Sequence, residues 1–294
     1  MGGLTLDWIQ LASALGAMQG ALLIGALVAQ KRNRTANRLL AVLMATFTIY
    51  LAQGVYYATG LYRAFPHLTG IATFTPWTFG PLVYLYARAA SDRAWRFTAR
   101  EWLHFVPVAV ALALAVPTFA LSAAAKLAML DQILTGARRP PLAWLDPLKY
   151  LSGIAYSAAT VRYLRDHRRR VLDSYSNTAR ANLTWLLWLA GGAAAIWVLA
   201  TVVRVGDTAL PVRDAHVSLA IALLVYATGY MGLRQPEVFR YATAEWPLPH
   251  PAVATTASPA AAVAVAAPAE PAPPRARYER SGLDDAEAAA AVRV

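Results

Sequence analysis

The sequence predicts an all-α integral membrane protein: a bundle of seven transmembrane helices, amino terminus outside, carboxyl terminus cytoplasmic, followed by a disordered tail rich in Ala and Pro. Three observations carry that prediction. Of 294 residues, 58% are hydrophobic and only 15% charged, and the mean hydropathy is positive, a balance that soluble domains rarely reach. Seven apolar stretches are each about as long as the roughly 20 residues that cross the hydrocarbon core. The basic residues fall in short loops beside those stretches, so the formal net charge of +11 reads as topology and not as a nucleic-acid surface. The absence of cysteine removes disulfides, thiolate nucleophiles and Cys-based metal sites from consideration.

The first stretch runs from Leu6 to Gln30, with its basic cluster (Lys31, Arg32, Arg34, Arg38) after it and not before. That order predicts an uncleaved span with its amino end outside. Further spans are predicted from Leu39 to Thr59, Gly70 to Ala90, Trp102 to Leu121, Trp144 to Leu164, Leu183 to Val205 and His216 to Leu233. Loops assigned to the inside then hold fourteen Lys/Arg against five outside, which keeps the whole assignment consistent with basic loops staying cytoplasmic. Gly60, Pro66 and Gly70 bracket the first outer turn, and Gly136 with Pro140 and Pro141 breaks a longer outer loop. Between them, Ala123 to Leu134 reads as a short interfacial helix with Leu127, Leu130 and Leu134 on one face. Thr98-Ala-Arg-Glu101 has the spacing of a capping box at the start of the fourth span. Asp166 followed by Arg170 favours the fifth helix continuing past the membrane. Three domains result: a seven-helix region over 1–240, a linker over 241–277 where Ala and Pro leave nothing to pack, and a short helix over 278–294 signalled by Ser281 ahead of acidic residues.

Polar residues inside spans are costly and mark function or buried contacts. Several lie within about two turns of the outer surface, counted at the 1.5 Å rise of a helix. Tyr57, Trp77, Asp146, Lys149, Arg204 and His216 are accordingly the candidate ligand-binding set, with Asp146 and Lys149 spaced for an i,i+3 ion pair; the plainer reading is that interfacial aromatics and snorkelling charges occupy span ends in any case. Pro76, Gly80 and Pro81 in the third span are candidate hinge residues, since proline removes an intrahelical hydrogen bond. Gln19 and Gln53 suit interhelical hydrogen bonds, and small residues around Gly16, Gly20 and Gly191-Gly192 suit close helix approach. The five histidines are scattered, and no phosphate-binding loop, nucleophile elbow or metal-ligand spacing occurs. No catalytic residue, metal or cofactor is therefore expected.

A further set of residues carries a resemblance. Phe79-Gly-Pro-Leu-Val-Tyr-Leu-Tyr86, His104-Phe-Val-Pro107, Asp173-Ser-Tyr-Ser-Asn177, Ala181-Asn-Leu-Thr-Trp-Leu186 and Leu233-Arg-Gln-Pro-Glu-Val-Phe239, in that order along seven spans, together resemble the membrane-embedded amino-terminal half of AraC-type transcriptional regulators. Tyr278-Glu-Arg-Ser-Gly-Leu283 is similar to the lead-in to their DNA-binding domain. The resemblance implies a non-enzymatic, self-associating sensor of the bacterial cytoplasmic membrane that passes an external or intramembrane stimulus inward, with Asp173, Tyr175, Asn177 and Arg180 as signal-relay residues. The family's two helix-turn-helix units are expected after Leu283, whereas the sequence reaches Val294 without them; contact with DNA is thus expected only through a carboxyl-terminal domain outside this chain. The lipid bilayer is the one partner the composition itself demands. A small-solute transporter is the alternative, motivated by the proline-broken third span and the outer polar residues, although the halves show no inverted repeat.

Overall fold

The computed structural model describes residues 7–31, 33–92, 94–172, 177–205 and 214–234. All belong to the first of the two units into which the chain divides, Met1–Trp246; the linker and final helix expected over 241–277 and 278–294 lie outside the described residues. Within that first unit every regular element is helical, and no strand occurs among the described residues.

Helix α1, Trp8–Ala29, opens with the Asp7 backbone N–H donated to Gln10 Oε1 at 3.1 Å. A turn in which Asn33 takes a left-handed conformation (φ 49°) leads to α2, Arg34–Ala58. Gly60 and Gly70, at φ 72° and 87°, enclose the short α3, Leu61–Ala64, and a 3-10 turn at Pro66–Leu68. Both glycines stand where a side chain would be strained, as the sequence indicated. The next span differs from expectation: Ile71–Phe74 forms a 3-10 turn and α4 covers only Pro76–Ser91. Pro76 holds the first position of α4, where its missing N–H costs nothing, so it opens the helix and does not bend it; Pro81 alone lies inside.

A 3-10 helix at Ala99–Phe105 runs into α5, Val106–Phe119. The expected capping box is not formed there, since Thr98 makes no side-chain cap and Glu101 is engaged elsewhere. Helix α6, Ala123–Leu134, has the predicted bounds and is capped by Ser122, whose Oγ accepts the Ala125 N–H at 3.3 Å. Its buried face is Lys126, Met129 and Leu130, while Leu134 is exposed. Of the leucine stripe, Leu130 is on the packed side, Leu127 is half-buried and Leu134 faces outward. Helices α7 (Asp146–Leu172), α8 (Asn177–Val205) and α9 (Asp214–Arg234) complete the bundle.

Five stretches are long and apolar enough to cross a membrane: Trp8–Ala29, Arg34–Ala58, Ala99–Phe119, Thr184–Arg204 and Asp214–Met231. The other two expected spans coincide with α4 and α7. Helix α4 has 16 residues, and ten of them are buried, the signature of a helix surrounded by others. Helix α7 has 27 residues but turns polar in its last third, and it buries Gly153, Ser157, Thr160 and Leu164 at helical spacing. The core joins Leu40, Phe47 and Leu51 of α2, Leu82 and Leu85 of α4, Leu189 of α8 and Val225 of α9, with the Phe47 and Phe79 rings edge to face at 4.6 Å. Outward-facing positions are also apolar: Leu11, Leu15, Met18 and Leu22 on α1, and Val106, Val110, Leu114 and Val116 on α5 are all exposed. Water rejects such surface and lipid accepts it.

The connections sort charges by end. Gly80 of α4 packs on Tyr156 of α7, and Tyr84, one turn further along α4, reaches Tyr163, further along α7, so those two helices run parallel. Their carboxyl ends share one end of the bundle with the α1–α2 turn and the start of the 3-10 helix at Ala99.

Candidate functional site

Two polar clusters are strung along α7. The outer one begins with Asp146, the first residue of the helix, where a carboxylate is favoured by the free N–H groups of the first turn. Its Oδ1 receives Lys149 Nζ at 2.7 Å and its Oδ2 faces Arg204 Nη2 of α8 at 3.5 Å. The spacing-based expectation of an Asp146–Lys149 pair is met, and Arg204 is brought to the same carboxylate from a neighbouring helix. Lys149 also lies over the Tyr150 ring at 5.2 Å, and that ring meets Trp197 of α8 edge to face at 6.1 Å. Side-chain exposure rises from 13% at Lys149 through 26% at Asp146 to 54% at Arg204, so the guanidinium is the part open to an incoming group.

The remaining ligand-binding candidates lie on α2, α4 and α9. Tyr57 belongs to an aromatic group, 5.1 Å from Tyr56 and 6.0 Å from Tyr62 by ring centroids. Trp77 is buried in the first turn of α4, and His216 is half-buried in the first turn of α9. Of the relay candidates, Asp173 and Tyr175 lie outside the described residues; Asn177 and Arg180 fall in the first turn of α8, with side chains outside that description. Of the hinge candidates, Gly80 has a clear packing role, because a Cβ there would sit 2.8 Å from Tyr156 Cβ of α7.

The second cluster has no counterpart in the sequence-based expectations. Glu101, only 8% exposed, faces Arg88 Nη1 at 3.4 Å and His104 Nε2 at 3.3 Å. The other ring nitrogen of His104, Nδ1, lies 2.7 Å from the Tyr156 hydroxyl. Arg88 is held between the Tyr84 and Trp95 rings, 5.7 and 5.4 Å from their centroids. Tyr84 is also 5.8 Å from His104 and 6.1 Å from Tyr156. Further along α7, Tyr163 and His167 stack at 6.2 Å, and Arg162 lies 4.0 Å from Asp166. One signal was present in the sequence: Glu101 and His104 are three apart, and in a 3-10 helix such residues eclipse each other. Reading that segment as α-helical assigned Glu101 to a cap.

A third contact joins the short outer helices. Lys126 of α6 is 3% exposed, donates to His67 Nδ1 at 3.3 Å and lies over the Phe119 ring at 5.9 Å. Among the described residues no group of three or more His, Cys, Asp or Glu side chains is placed to hold a metal. What these clusters can do is exchange ion-pair partners and relocate protons between helices. No family profile, curated protein or solved structure matches the chain.

Proposed function

We propose that the chain is a seven-span membrane sensor domain, amino end outside and carboxyl end cytoplasmic, that relays an external or intramembrane stimulus to a cytoplasmic output in the bacterial inner membrane. One observation carries this reading: among the described residues α7 alone joins the outer Asp146–Lys149–Arg204 cluster to the half-buried Glu101–His104–Tyr156 network, and it then continues as a basic helix to Leu172. From Asp146 to Tyr156 is ten residues, about 15 Å along the axis, and from Asp146 to Leu172 about 39 Å, at 1.5 Å per residue. A rod of that length reaches past a hydrocarbon core of about 30 Å. The ordered motifs that resemble AraC-type regulators support the same reading, and they make DNA an indirect partner, reached through a separate output domain. Helix α4 is a span sheltered by the others and so needs less apolar surface of its own, whereas α7 buries one stripe and presents Leu148, Leu151 and Ile154 outward.

The test joins the carboxyl end to a DNA-binding reporter whose output depends on self-association. Asp146→Asn removes the charge to which both cations are drawn, and it is expected to change reporter output several-fold at unchanged membrane abundance. Unchanged output, together with solute flux in proteoliposomes that Lys149→Ala or Arg204→Ala abolishes, would instead establish a transporter.

A further inference from the structure

A carboxylate only accepts hydrogen bonds, so in the neutral state the His104 proton sits on Nε2, facing Glu101. Nδ1 is then an acceptor, and the contact at 2.7 Å is Tyr156 O–H donating to it. The chain of donors has one direction, from the Tyr156 hydroxyl of α7 through the imidazole to Glu101, with Arg88 supplying the opposite charge. A second proton has a single place to go, Nδ1. Both ring nitrogens then donate, the Tyr156 hydroxyl must become the acceptor, and its own proton loses its partner.

We propose that Glu101, His104 and Tyr156 form a proton-operated latch that ties α7 to the 3-10 helix by a neutral hydrogen bond while His104 is neutral and tightens when His104 is doubly protonated, because the bond to the Tyr156 oxygen is then charge-assisted. The surroundings fit that action. From α4, His104 is faced by the Tyr84 ring, with the Arg88 guanidinium on the same carboxylate; from its own segment by Glu101; from α7 by Tyr156, with Tyr163 and the stacked His167 about two and three turns beyond. Trp95 closes the far side of Arg88. These neighbours offer the reoriented Tyr156 proton ring faces and a cation. Glu101, meanwhile, faces the imidazolium and the Arg88 guanidinium together, which anchors the charged ring while its other N–H is donated to Tyr156 of α7. Side chains of His104 and Arg88 are 27% and 29% exposed, enough for water to deliver the proton. The Gly80 contact keeps Tyr156 close to α4, so the hydroxyl bond is the part free to change. This deepens the sensor reading by naming how α7 is held, and its test reads α7 directly, so a failed output and a failed latch are distinguishable.

The chain has no cysteine, so paired spin labels at Ala99→Cys and Arg165→Cys, both on exposed positions, report this distance alone in full-length protein in nanodiscs. Going from about pH 8 to about pH 5, the range in which imidazoles as a class titrate, the label separation is expected to shorten by on the order of 1–2 Å, the size of shift that packed helices make. Tyr156→Phe keeps the ring and removes only the hydroxyl; it is expected to give a separation at least as large as the parent's high-pH value at both ends of the range. A separation that ignores pH in the parent, or an unchanged pH response in Tyr156→Phe, overturns the latch. So does a ¹⁵N imidazole spectrum that places the neutral proton of His104 on Nδ1.

Discussion

Glu101 receives two donors, Arg88 and His104 Nε2, in a nearly closed site. Glu101→Gln preserves its shape but supplies an amide N–H₂ toward groups that are themselves donors, leaving at least one polar contact unmet. A loss of about 1–3 kcal/mol is expected, read from thermal unfolding in detergent. Because Arg88 shares the network, the double variant with Arg88→Met should lose less than the two single losses added, by about 0.5–3 kcal/mol; strict additivity would mean the two side chains do not interact. Lys126 presents the opposite case. It is 3% exposed, and no carboxylate pairs with it among the described residues, so the parent carries the cost of a buried cation met only by His67 and an aromatic face. Lys126→Met should therefore match or exceed the parent in stability, by up to about 1–4 kcal/mol, whereas Lys126→Ala leaves a cavity and should lose about 2 kcal/mol or more. Neither site was legible as such in the sequence. Lys126 entered only as one of the outer charges, because burial by a neighbouring turn has no local signature, and Glu101 matched a capping pattern that a 3-10 start does not use.

At the level of elements, α7 is seated between two close contacts, one on each flank: Gly80 of α4 receives Tyr156, and its own Gly153 receives the indole of Trp197 from α8. The space a Cβ would take at Gly153 is already filled by that ring system, which cannot fold aside as a flexible chain end does. Gly153→Ala should cost about 1–3 kcal/mol through overpacking and pull the Lys149–Tyr150–Trp197 group out of register. Gly191 of α8 has open space beside it, so Gly191→Ala should be neutral or stabilising by up to about 1 kcal/mol through helix propensity alone. Equal losses from the two would show that α7 and α8 do not meet as described. The existence of the helices was readable from apolar length, and the bounds expected for α6 from its leucine spacing and the break at Gly136 agree with the structure, where Ser122 caps its start. Their inner boundaries were less readable. The third span shortened because Gly70 in a left-handed turn starts a 3-10 segment and Pro76 can only begin a new helix, and apolar composition is blind to that difference. The Asp146–Lys149 pair followed from i,i+3 spacing, but Arg204 joined it through tertiary packing that no local pattern encodes.

Across the whole molecule, the described charges divide unequally between the two ends. One end gathers Lys31, Arg34 and Arg38, then Arg88, Arg96 and Arg100, then Arg162, Arg165, Arg168 and Arg169, against Asp92, Glu101 and Asp166; the other holds Arg63, Lys126, Arg138, Arg139, Lys149 and Arg204 against Asp7, Asp131, Asp146 and Asp214. Short loops with excess Lys and Arg stay cytoplasmic, so the richer end should face inward. The same arrangement makes the two less apolar helices testable as spans. If α4 crosses, Leu61 ahead of it lies on the opposite side from Ala99 and on the same side as Ala124; if α7 crosses, Arg168 lies opposite Ala124. Single cysteines at these four exposed positions, in a chain with none of its own, should react with a membrane-impermeant maleimide on intact spheroplasts at 61 and 124, and at 99 and 168 only after permeabilisation. Matching reactivity of 61 and 99 would remove α4 from the spans, and matching reactivity of 124 and 168 would remove α7. The mirror-image result, with 99 and 168 reactive in intact spheroplasts, would invert the protein, placing the Asp146 cluster on the cytoplasmic side and the His104 network toward the outside.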